Sequence, residues 1–206
     1  MSEPTVSQDP NSGHVPAPPV RPALAPLIVG DPRSPVLAAL AWVRDLAVSV
    51  ILAIVIILFL YRPVKVEGTS MMPALVDQER IFINQFVYKW GISEIERGDT
   101  IVFWFPIDPS KSYIKRVIGR PGDVVEIEDG VARVNGKVME EKYVPEEYRD
   151  RTPLAPTKIP ADHFFVMGDH RSSSNDSRTW GPVHRRFIYG KAVFVYWPLE
   201  KMGMLR

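Results

Sequence analysis

The chain of 206 residues has room for one domain of ordinary size with extensions, and its composition, 46% hydrophobic and 24% charged, excludes wholesale disorder and collagen. Its 25 Lys and Arg residues and 24 Asp and Glu residues give a net charge of +1, so no global field would recruit nucleic acid. The absence of cysteine excludes disulfides, thiolate zinc sites and a cysteine nucleophile, so covalent catalysis would have to use Ser, Thr, Lys or a carboxylate.

The first 35 residues are rich in Pro, Ala and Ser, and they hold nine of the 20 prolines in the chain. Proline lacks a backbone N–H and blocks both helix interiors and sheet ladders, so this stretch predicts a disordered tail over residues 1–35. A proline-rich ligand for a partner domain is the alternative interpretation.

An apolar run from Leu46 to Tyr61 contains no charge, glycine or proline. As a helix it would span about 24 Å, and the apolar stretch Val36–Val43 before it supplies the length missing from a hydrocarbon core of about 30 Å. Only Arg44 and Asp45 interrupt the two stretches. The pattern predicts an uncleaved transmembrane anchor over residues 36–61. A buried core helix fits a small β domain poorly, and for a cleavable signal peptide the leader is too long and no A-x-A motif follows the span.

From residue 62 onward, short segments rich in Val, Ile, Phe and Tyr alternate with turn residues, which is typical of strands. The predicted strands are Val64–Gly68, Arg80–Lys89, Thr100–Phe105, Tyr113–Gly119, Val124–Glu128, Val131–Val134, His163–Met167 and Lys191–Trp197. Asp129-Gly130 and Asn135-Gly136 favour two tight hairpins. Residues 139–162 are polar and proline-rich, which predicts an insertion. We therefore predict a mainly β domain over residues 62–206.

Ser70 is the first candidate for chemistry, because it follows a predicted strand and Gly68 and precedes Pro73. Such a turn would present one hydroxyl at the end of a rigid strand. The same residues are also compatible with a serine in an ordinary turn that has no catalytic role. A serine nucleophile needs a base. His170, which follows Asp169, is one candidate, and spacing alone does not exclude a Ser-His-Asp triad.

Lys115 is the second candidate base. In a strand of alternating faces it would point to the same side as Tyr113 and Val117, and an apolar environment lowers the pKa of a lysine. A neutral lysine can accept the proton of a serine. An edge-strand lysine that prevents aggregation is the competing interpretation.

A third cluster, residues 167–181, holds two acids, two arginines and four serines between two predicted strands. A solvated surface loop has a similar composition. The alternation of Asp and Arg with Gly is instead typical of a loop held by internal hydrogen bonds.

Four ordered blocks after the apolar run resemble those of bacterial type I signal peptidases, which are membrane-anchored proteases with a Ser/Lys dyad. The blocks are Gly68–Pro73 (GTSMMP), Arg97–Phe103 (RGDTIVF), Tyr113–Gly119 (YIKRVIG) and Gly168–Arg178 (GDHRSSSNDSR). Each block alone is a weak signal, whereas four in this order are specific. The resemblance covers roughly residues 67–197 and implies a signal-peptidase-type β catalytic domain with one N-terminal transmembrane helix.

The resemblance also assigns roles to residues. It implies that Ser70 is the nucleophile, that Lys115 is the general base and that Ser174 orients the lysine. Asp176 and Arg178 would brace the loop by a salt bridge. The other supporting residues would be Asp169, Tyr113 and Arg116, with Asp99 also packing near the lysine, and the substrate would lie against Val64, Val66, Gly68, Met71 and Ile114.

The chain departs from the family pattern at three positions. The family often has Thr where this chain has Ala74, and commonly Asn where it has His170. Some members have a serine at the position of Gly68, and its hydroxyl completes the oxyanion hole. Here the Ser70 N–H is the one donor that the sequence identifies.

The implied activity is that of an endopeptidase that removes signal peptides from exported preproteins through an acyl-enzyme. It would work at the outer face of the bacterial cytoplasmic membrane, with residues 1–35 on the cytoplasmic side. Its partners would be preproteins, the lipid bilayer and the Sec or Tat export machinery, with no metal, cofactor or nucleic acid. Two other interpretations stay open. One is another protease with this dyad, such as a conjugation-associated or self-cleaving repressor-type relative, although a repressor would carry a DNA-binding domain in place of the anchor. The other is an inactive anchored β scaffold that binds preproteins or Sec components.

Overall fold

A computed structural model describes residues 35–89 and 93–205, so the tail predicted over residues 1–35 lies, apart from Pro35, outside the described residues. The chain divides into two compact units, the first ending at Ala47 and the second beginning at Val48.

Helix α1, Pro35–Leu60, has 26 residues and is therefore about 39 Å long. Its segment Pro35–Val55 is long and apolar enough to cross a membrane, and its most apolar stretch is not buried. The two charges within it pair with each other, since Arg44 Nη2 lies 2.8 Å from Asp45 Oδ1. The span predicted over residues 36–61 is thus a helix. It ends at Leu60, one residue earlier than predicted, and Tyr61 begins strand β1.

The rest of the chain is mainly β, and the predicted fold class is confirmed. The strands are β1 Tyr61–Lys65, β2 Arg80–Asn84, β3 Thr100–Trp104, β4 Ser112–Gly119, β5 Val124–Glu128, β6 Val131–Val134, β7 Lys137–Val138, β8 Leu154–Lys158, β9 His163–Met167, β10 Val183–His184, β11 Ile188–Trp197 and β12 Gly203–Met204. Two short helices, α2 (Phe86–Lys89) and α3 (Ser177–Trp180), accompany them.

The strands form two sheets in which every described pair is antiparallel. The larger sheet has the order β1-β2-β11-β3-β4-β9-β10, with β12 added to β11. The smaller sheet has the order β7-β6-β5-β8. Both predicted hairpins are present in the smaller sheet, and Asp129, Gly130, Asn135 and Gly136 all have positive φ angles, as two-residue turns of this kind require.

Several segments differ from the sequence prediction. The strand predicted over Val64–Gly68 is β1, which begins at Tyr61 and ends at Lys65, and the short strands β7, β10 and β12 were not predicted. The predicted strand Arg80–Lys89 ends at Asn84, because the side-chain oxygen of Asn84 accepts a hydrogen bond from the Phe86 N–H and helix α2 begins there. Strand β8 lies within the polar insertion, where the sequence predicted no strand, and it pairs with β5.

Three apolar clusters form the core. One fills one face of the larger sheet around Phe103 and Val117, and one fills the space between the two sheets around Ile118 and Phe165. The cluster that matters for the site lies on the other face of the larger sheet, where the following side chains pack together: Val66, Met71, Leu75, Ile81, Ile83, Val102, Ala192 and Val195. Because Met71 belongs to it, the segment that carries Ser70 is fixed to the sheet by a buried neighbour.

Candidate active site

Ser70 lies in a loop that is closed by two backbone hydrogen bonds between Val66 and residues 78–79. The Val66 N–H donates to the Glu79 carbonyl at 2.8 Å, and the Gln78 N–H donates to the Val66 carbonyl at 2.9 Å. Inside the loop, the Gly68 N–H donates to Asp77 Oδ1 at 2.8 Å. Gly68 has a φ of +92°, a conformation that favours glycine, and this turn directs the chain toward Ser70.

Lys115 meets Ser70 from strand β4. Its Nζ lies 2.7 Å from Ser70 Oγ and 3.1 Å from the Ile114 carbonyl oxygen. The side chain is buried, with the residue only 4% exposed. Its backbone is held in register by the pairing of Ile101 with Lys115 across β3 and β4. The two candidates that the sequence proposed as nucleophile and base are therefore in hydrogen-bond contact across 45 residues of chain.

The environment of Lys115 favours its neutral form. Burial lowers its pKa from 10.5 to about 8, against the opposing effect of the negative charges on Asp176 and Asp169, and the positive charge of Arg178 lowers it further. At pH 8 about half of the side chains would then be neutral, whereas a free lysine is almost wholly protonated there. The geometry and the pKa both suit a general base.

Among the residues that the structure describes, no histidine ring hydrogen-bonds to the Ser70 hydroxyl. The His170 backbone N–H donates to the Ser70 carbonyl oxygen at 3.1 Å, but the His170 ring stacks on Tyr148 with its centroid 4.0 Å away. His163 and His184 pack against each other, with ring centroids 4.8 Å apart. Among the described residues, lysine is thus the base candidate that contacts the serine.

Ser174 lies close to the dyad but does not hydrogen-bond to Lys115. Its buried Oγ has no hydrogen-bond partner among the residues that the structure describes. The approach is permitted by Gly168, where a Cβ atom would overlap Ser174 Oγ and the Ser70 carbonyl oxygen. The orienting role of Ser174 therefore stays a prediction.

Asp176 and Arg178 form an ion pair, with Arg178 Nε 2.8 Å from Asp176 Oδ1. Asp176 is fully buried, accepts a hydrogen bond from the Gly168 N–H at 3.0 Å and caps helix α3. Arg178 Nη2 also donates to the carbonyl oxygens of Arg171 at 2.7 Å and Ser174 at 3.4 Å. This pair therefore fixes both ends of the loop 168–178, which we call the catalytic loop.

Arg116 and Asp169 connect strand β4 to the start of the catalytic loop. The buried guanidinium donates to both oxygens of the buried carboxylate, at 2.8 and 2.7 Å, and also to the Gly98 carbonyl at 2.8 Å. Two parallel bonds of this kind fix orientation as well as distance. Because Arg116 follows Lys115 in the chain, the pair also restrains the lysine backbone.

Tyr113 packs beside the lysine, whereas Asp99 does not contribute there. The Lys115 ammonium lies 5.3 Å from the centroid of the Tyr113 ring. The Asp99 carboxylate instead accepts hydrogen bonds from the Tyr88 hydroxyl at 2.7 Å and from the Lys191 ammonium at 2.5 Å.

A groove of about 670 Å³ runs up to the dyad. Its walls include all five residues predicted to bind substrate, together with the dyad and the start of β4; the lining is Val64–Gly68, Ser70, Met71, Val102, Ser110–Lys115 and Asn175. Strand β1 pairs only with β2, and β9 pairs with β4 only from Arg116 onward. Each wall therefore presents a strand edge with no partner strand among the described residues.

The sequence did not reveal a set of ion pairs between the polar insertion and the catalytic loop. Glu141 and Asp150, both in the polar insertion, form ion pairs with Arg171 and Arg178. Their acidic, aromatic-containing surroundings, EEKYVPEEYRD, resemble a solvated surface segment in sequence. A partner about 30 residues away is not visible in such a pattern.

Comparisons with known proteins give one family. The model of the signal peptidase family, peptidase S26, matches residues 39–197. Signal peptidase I of Bacillus licheniformis is 36% identical over 173 residues, which cover 78% of this chain and 90% of the relative. Signal peptidase I T of Bacillus subtilis strain 168 is 37% identical over 173 residues, covering 79% and 88%. The crystal structure of a signal peptidase I from Enterococcus faecalis V583 is 30% identical, covers 48% of this chain and 97% of that chain, and superposes with a TM-score of 0.43.

Proposed function

The chain belongs to the signal peptidase family, peptidase S26, and we propose that Ser70 and Lys115 are the catalytic dyad with which this serine endopeptidase cleaves signal peptides from preproteins. The observation that carries the proposal is the 2.7 Å contact between Lys115 Nζ and Ser70 Oγ, made by a buried lysine. A nucleophile and base within hydrogen-bond reach are the requirement for acyl transfer by a hydroxyl.

Acylation begins when neutral Lys115 accepts the Ser70 proton as Ser70 Oγ attacks the scissile carbonyl carbon. The negative charge that develops on the carbonyl oxygen is stabilised by the Ser70 N–H, which makes no hydrogen bond to any of the described residues. The Gly68 N–H is engaged by Asp77. The Lys115 ammonium then protonates the leaving amine, and the signal peptide stays attached to Ser70 as an ester.

Deacylation reverses the roles. Lys115 is neutral again after protonating the amine, so it can take a proton from a water molecule that attacks the ester carbonyl. The ammonium returns that proton to Ser70 Oγ as the signal peptide leaves. One lysine serves both half-reactions, and no step requires a metal or cofactor.

The substrate lies extended in the groove between β1 and β4. Both strands run toward the dyad, because Gly68 and Ser70 follow β1 and Lys115 lies past the start of β4. A peptide between them can pair with both open edges, which gives affinity through the main chain. The apolar walls near Ser70, formed by Val66, Met71 and Ile114, suit the small side chains that the family accepts before the cut.

Helix α1 anchors the enzyme in a membrane. We place the catalytic domain at the outer face of the bacterial cytoplasmic membrane and residues 1–35 on the cytoplasmic side, because exported preproteins present their cleavage sites there. The same placement makes the Sec or Tat machinery the natural source of substrate.

Replacement of Ser70 tests the proposal directly. We expect Ser70→Ala, in the full-length protein in detergent, to cleave a signal-peptide-bearing preprotein at less than about 1% of the wild-type rate, because no other group supplies the nucleophile. The matched control is Ser93→Ala, since Ser93 is exposed and its one hydrogen bond among the described residues goes to the neighbouring Glu94 carbonyl. Cleavage by Ser70→Ala at the control rate would refute the dyad.

A further inference from the structure

The segment 141–150, part of the polar insertion, covers the catalytic loop and the strand beside it. Four of its side chains contact four side chains around the dyad: Tyr143 with Arg116, Glu141 with Arg171, Tyr148 with His170, and Asp150 with Arg178. The proposed chemistry uses none of these segment residues.

Glu141 and Arg171 form the most buried of these contacts. The guanidinium donates to both carboxylate oxygens, at 3.0 and 2.5 Å, and the two side chains are 3% exposed or less. Arg171 Nε donates in addition to the Gly168 carbonyl at 3.0 Å. A buried arginine needs a counter-charge, so Glu141 holds in place the residue that fixes Gly168.

Asp150 contacts the centre of the loop's hydrogen-bond network. Its Oδ2 lies 2.7 Å from Arg178 Nη1, while the Arg178 Nε and Nη2 bind Asp176. Asp150 is itself fixed, because the Thr152 N–H and hydroxyl donate to its Oδ1 at 3.0 and 2.7 Å. The Asp150 carboxylate is therefore held in place, and it orients the Arg178 guanidinium toward the Ser174 carbonyl.

Segment 141–150 makes two further contacts through aromatic rings. The Tyr148 ring stacks on His170 with an interplanar angle of 26°. The Arg116 guanidinium lies 4.2 Å from the centroid of the Tyr143 ring. The first contact adds packing, and the second adds a cation–π attraction without a second formal charge.

Segment 141–150 contacts residues whose charges affect the pKa of Lys115. Its own strand contributes Tyr113 and the cation of Arg116, the nucleophile loop contributes the neutral hydroxyl of Ser70, and the catalytic loop contributes Asp169, Asp176 and Arg178. The charge of Asp169 is balanced by Arg116 of β4, and the charge of Arg178 is balanced partly by Asp150 of segment 141–150.

We propose that segment 141–150 is a clamp on the catalytic loop and that Asp150 is a positioning residue, which acts through Arg178 on the loop and on the electrostatic field at Lys115. The inference rests on the proposed Ser70–Lys115 dyad. It gives the insertion a part in catalysis although none of its residues touches substrate.

Two substitutions of Asp150 separate its two effects. Asp150→Ala removes the acceptor that orients Arg178, and we expect kcat to fall about tenfold with KM within about twofold, because the loop is misplaced while the groove is intact. Asp150→Asn keeps an acceptor oxygen but removes the charge. It should retain most of kcat and shift the acid limb of the pH–rate profile to lower pH by about 0.3 unit, since a more positive surrounding lowers the pKa of Lys115.

The full-length protein in detergent and a preprotein substrate are used throughout, with Glu147→Gln as the matched control. Glu147 is an exposed acid of the same segment and forms no ion pair among the described residues. The proposal is overturned if both Asp150 variants match Glu147→Gln in kcat and in acid limb, or if Glu147→Gln changes them equally. Ser70→Ala in the same assay reports separately on the dyad, since activity of that variant would refute the dyad itself.

Discussion

Lys115 and Arg116 are adjacent buried cations with opposite surroundings. The Asp169 carboxylate accepts hydrogen bonds from the Nε and Nη2 of Arg116, whereas Lys115 Nζ donates to a hydroxyl and to a carbonyl oxygen. No acid among the described residues lies within ion-pair distance of Lys115. A buried ammonium without a counter-ion loses its hydration and gains little in return, which is why its neutral form is accessible.

The pH dependence of cleavage follows from this residue. Because the neutral lysine is the active form and its pKa is about 8, activity should rise about tenfold per pH unit below pH 7.5 and level off above pH 8.5. Lys115→Arg should be inactive, since a guanidinium does not lose its proton in this range. The measurement is kcat/KM from pH 6 to 10, and the rise of kcat/KM with pH gives the acid limb of the profile.

His170→Asn is the control for the same measurement. The His170 ring stacks on Tyr148 and makes no hydrogen bond to Ser70 Oγ, so the acid limb should stay where it is. An inactive His170→Asn together with an active Lys115→Arg would replace the dyad by a histidine mechanism.

Strand β4 is divided in function along its length. From Arg116 to Gly119 it pairs with β9 and lies in the core, whereas before Arg116 its second edge opens on the groove. Lys115 is the last residue before the pairing with β9 begins, so it belongs to a paired strand and also lines the groove. The chain continues from β9 into the catalytic loop. At Gly168 this loop approaches the Ser70 loop so closely that no side chain fits.

Replacement of Gly168 tests that close approach. Gly168→Ala should lower the stability of the folded protein by about 1–3 kcal/mol and reduce kcat, because the added methyl group has to displace Ser174 or the Ser70 backbone. Gly203→Ala is the matched control, since a Cβ there meets nothing within 4 Å. Thermal unfolding and cleavage rates of both variants check this, and equal behaviour of the two would contradict it.

At the scale of the whole molecule, the sequence predicted local features well and distant contacts poorly. The strands next to Asp129-Gly130 and Asn135-Gly136 were predictable because their turns depend on two residues each. The contact of Ser70 with Lys115 was predicted through a family resemblance, since spacing alone left a histidine open. The clamp of Glu141 and Asp150 was not predictable, because an acid that pairs with a distant buried arginine looks in sequence like a solvated one.

The N-terminal tail is predicted to be dispensable for catalysis. Deletion of residues 2–34 should leave kcat/KM within about twofold in detergent, because a proline-rich segment with no apolar pattern offers nothing to pack on the catalytic domain. Cleavage by the deleted protein is compared with that of the full chain after confirming membrane insertion. Loss of cleavage in a correctly inserted protein would show that the tail takes part.

The open edges of β1 and β4 also bear on the conformation a substrate must reach before it is cut. A signal peptide that arrives as a membrane-embedded helix satisfies its own backbone hydrogen bonds, and these have to be broken near the cleavage site before the strand edges can replace them. Unwinding is easiest where the helix has a Gly or Pro, or at its frayed end. With the proposed extended binding mode, the rate of cleavage should therefore depend on how readily the few residues around the cut leave the helical state.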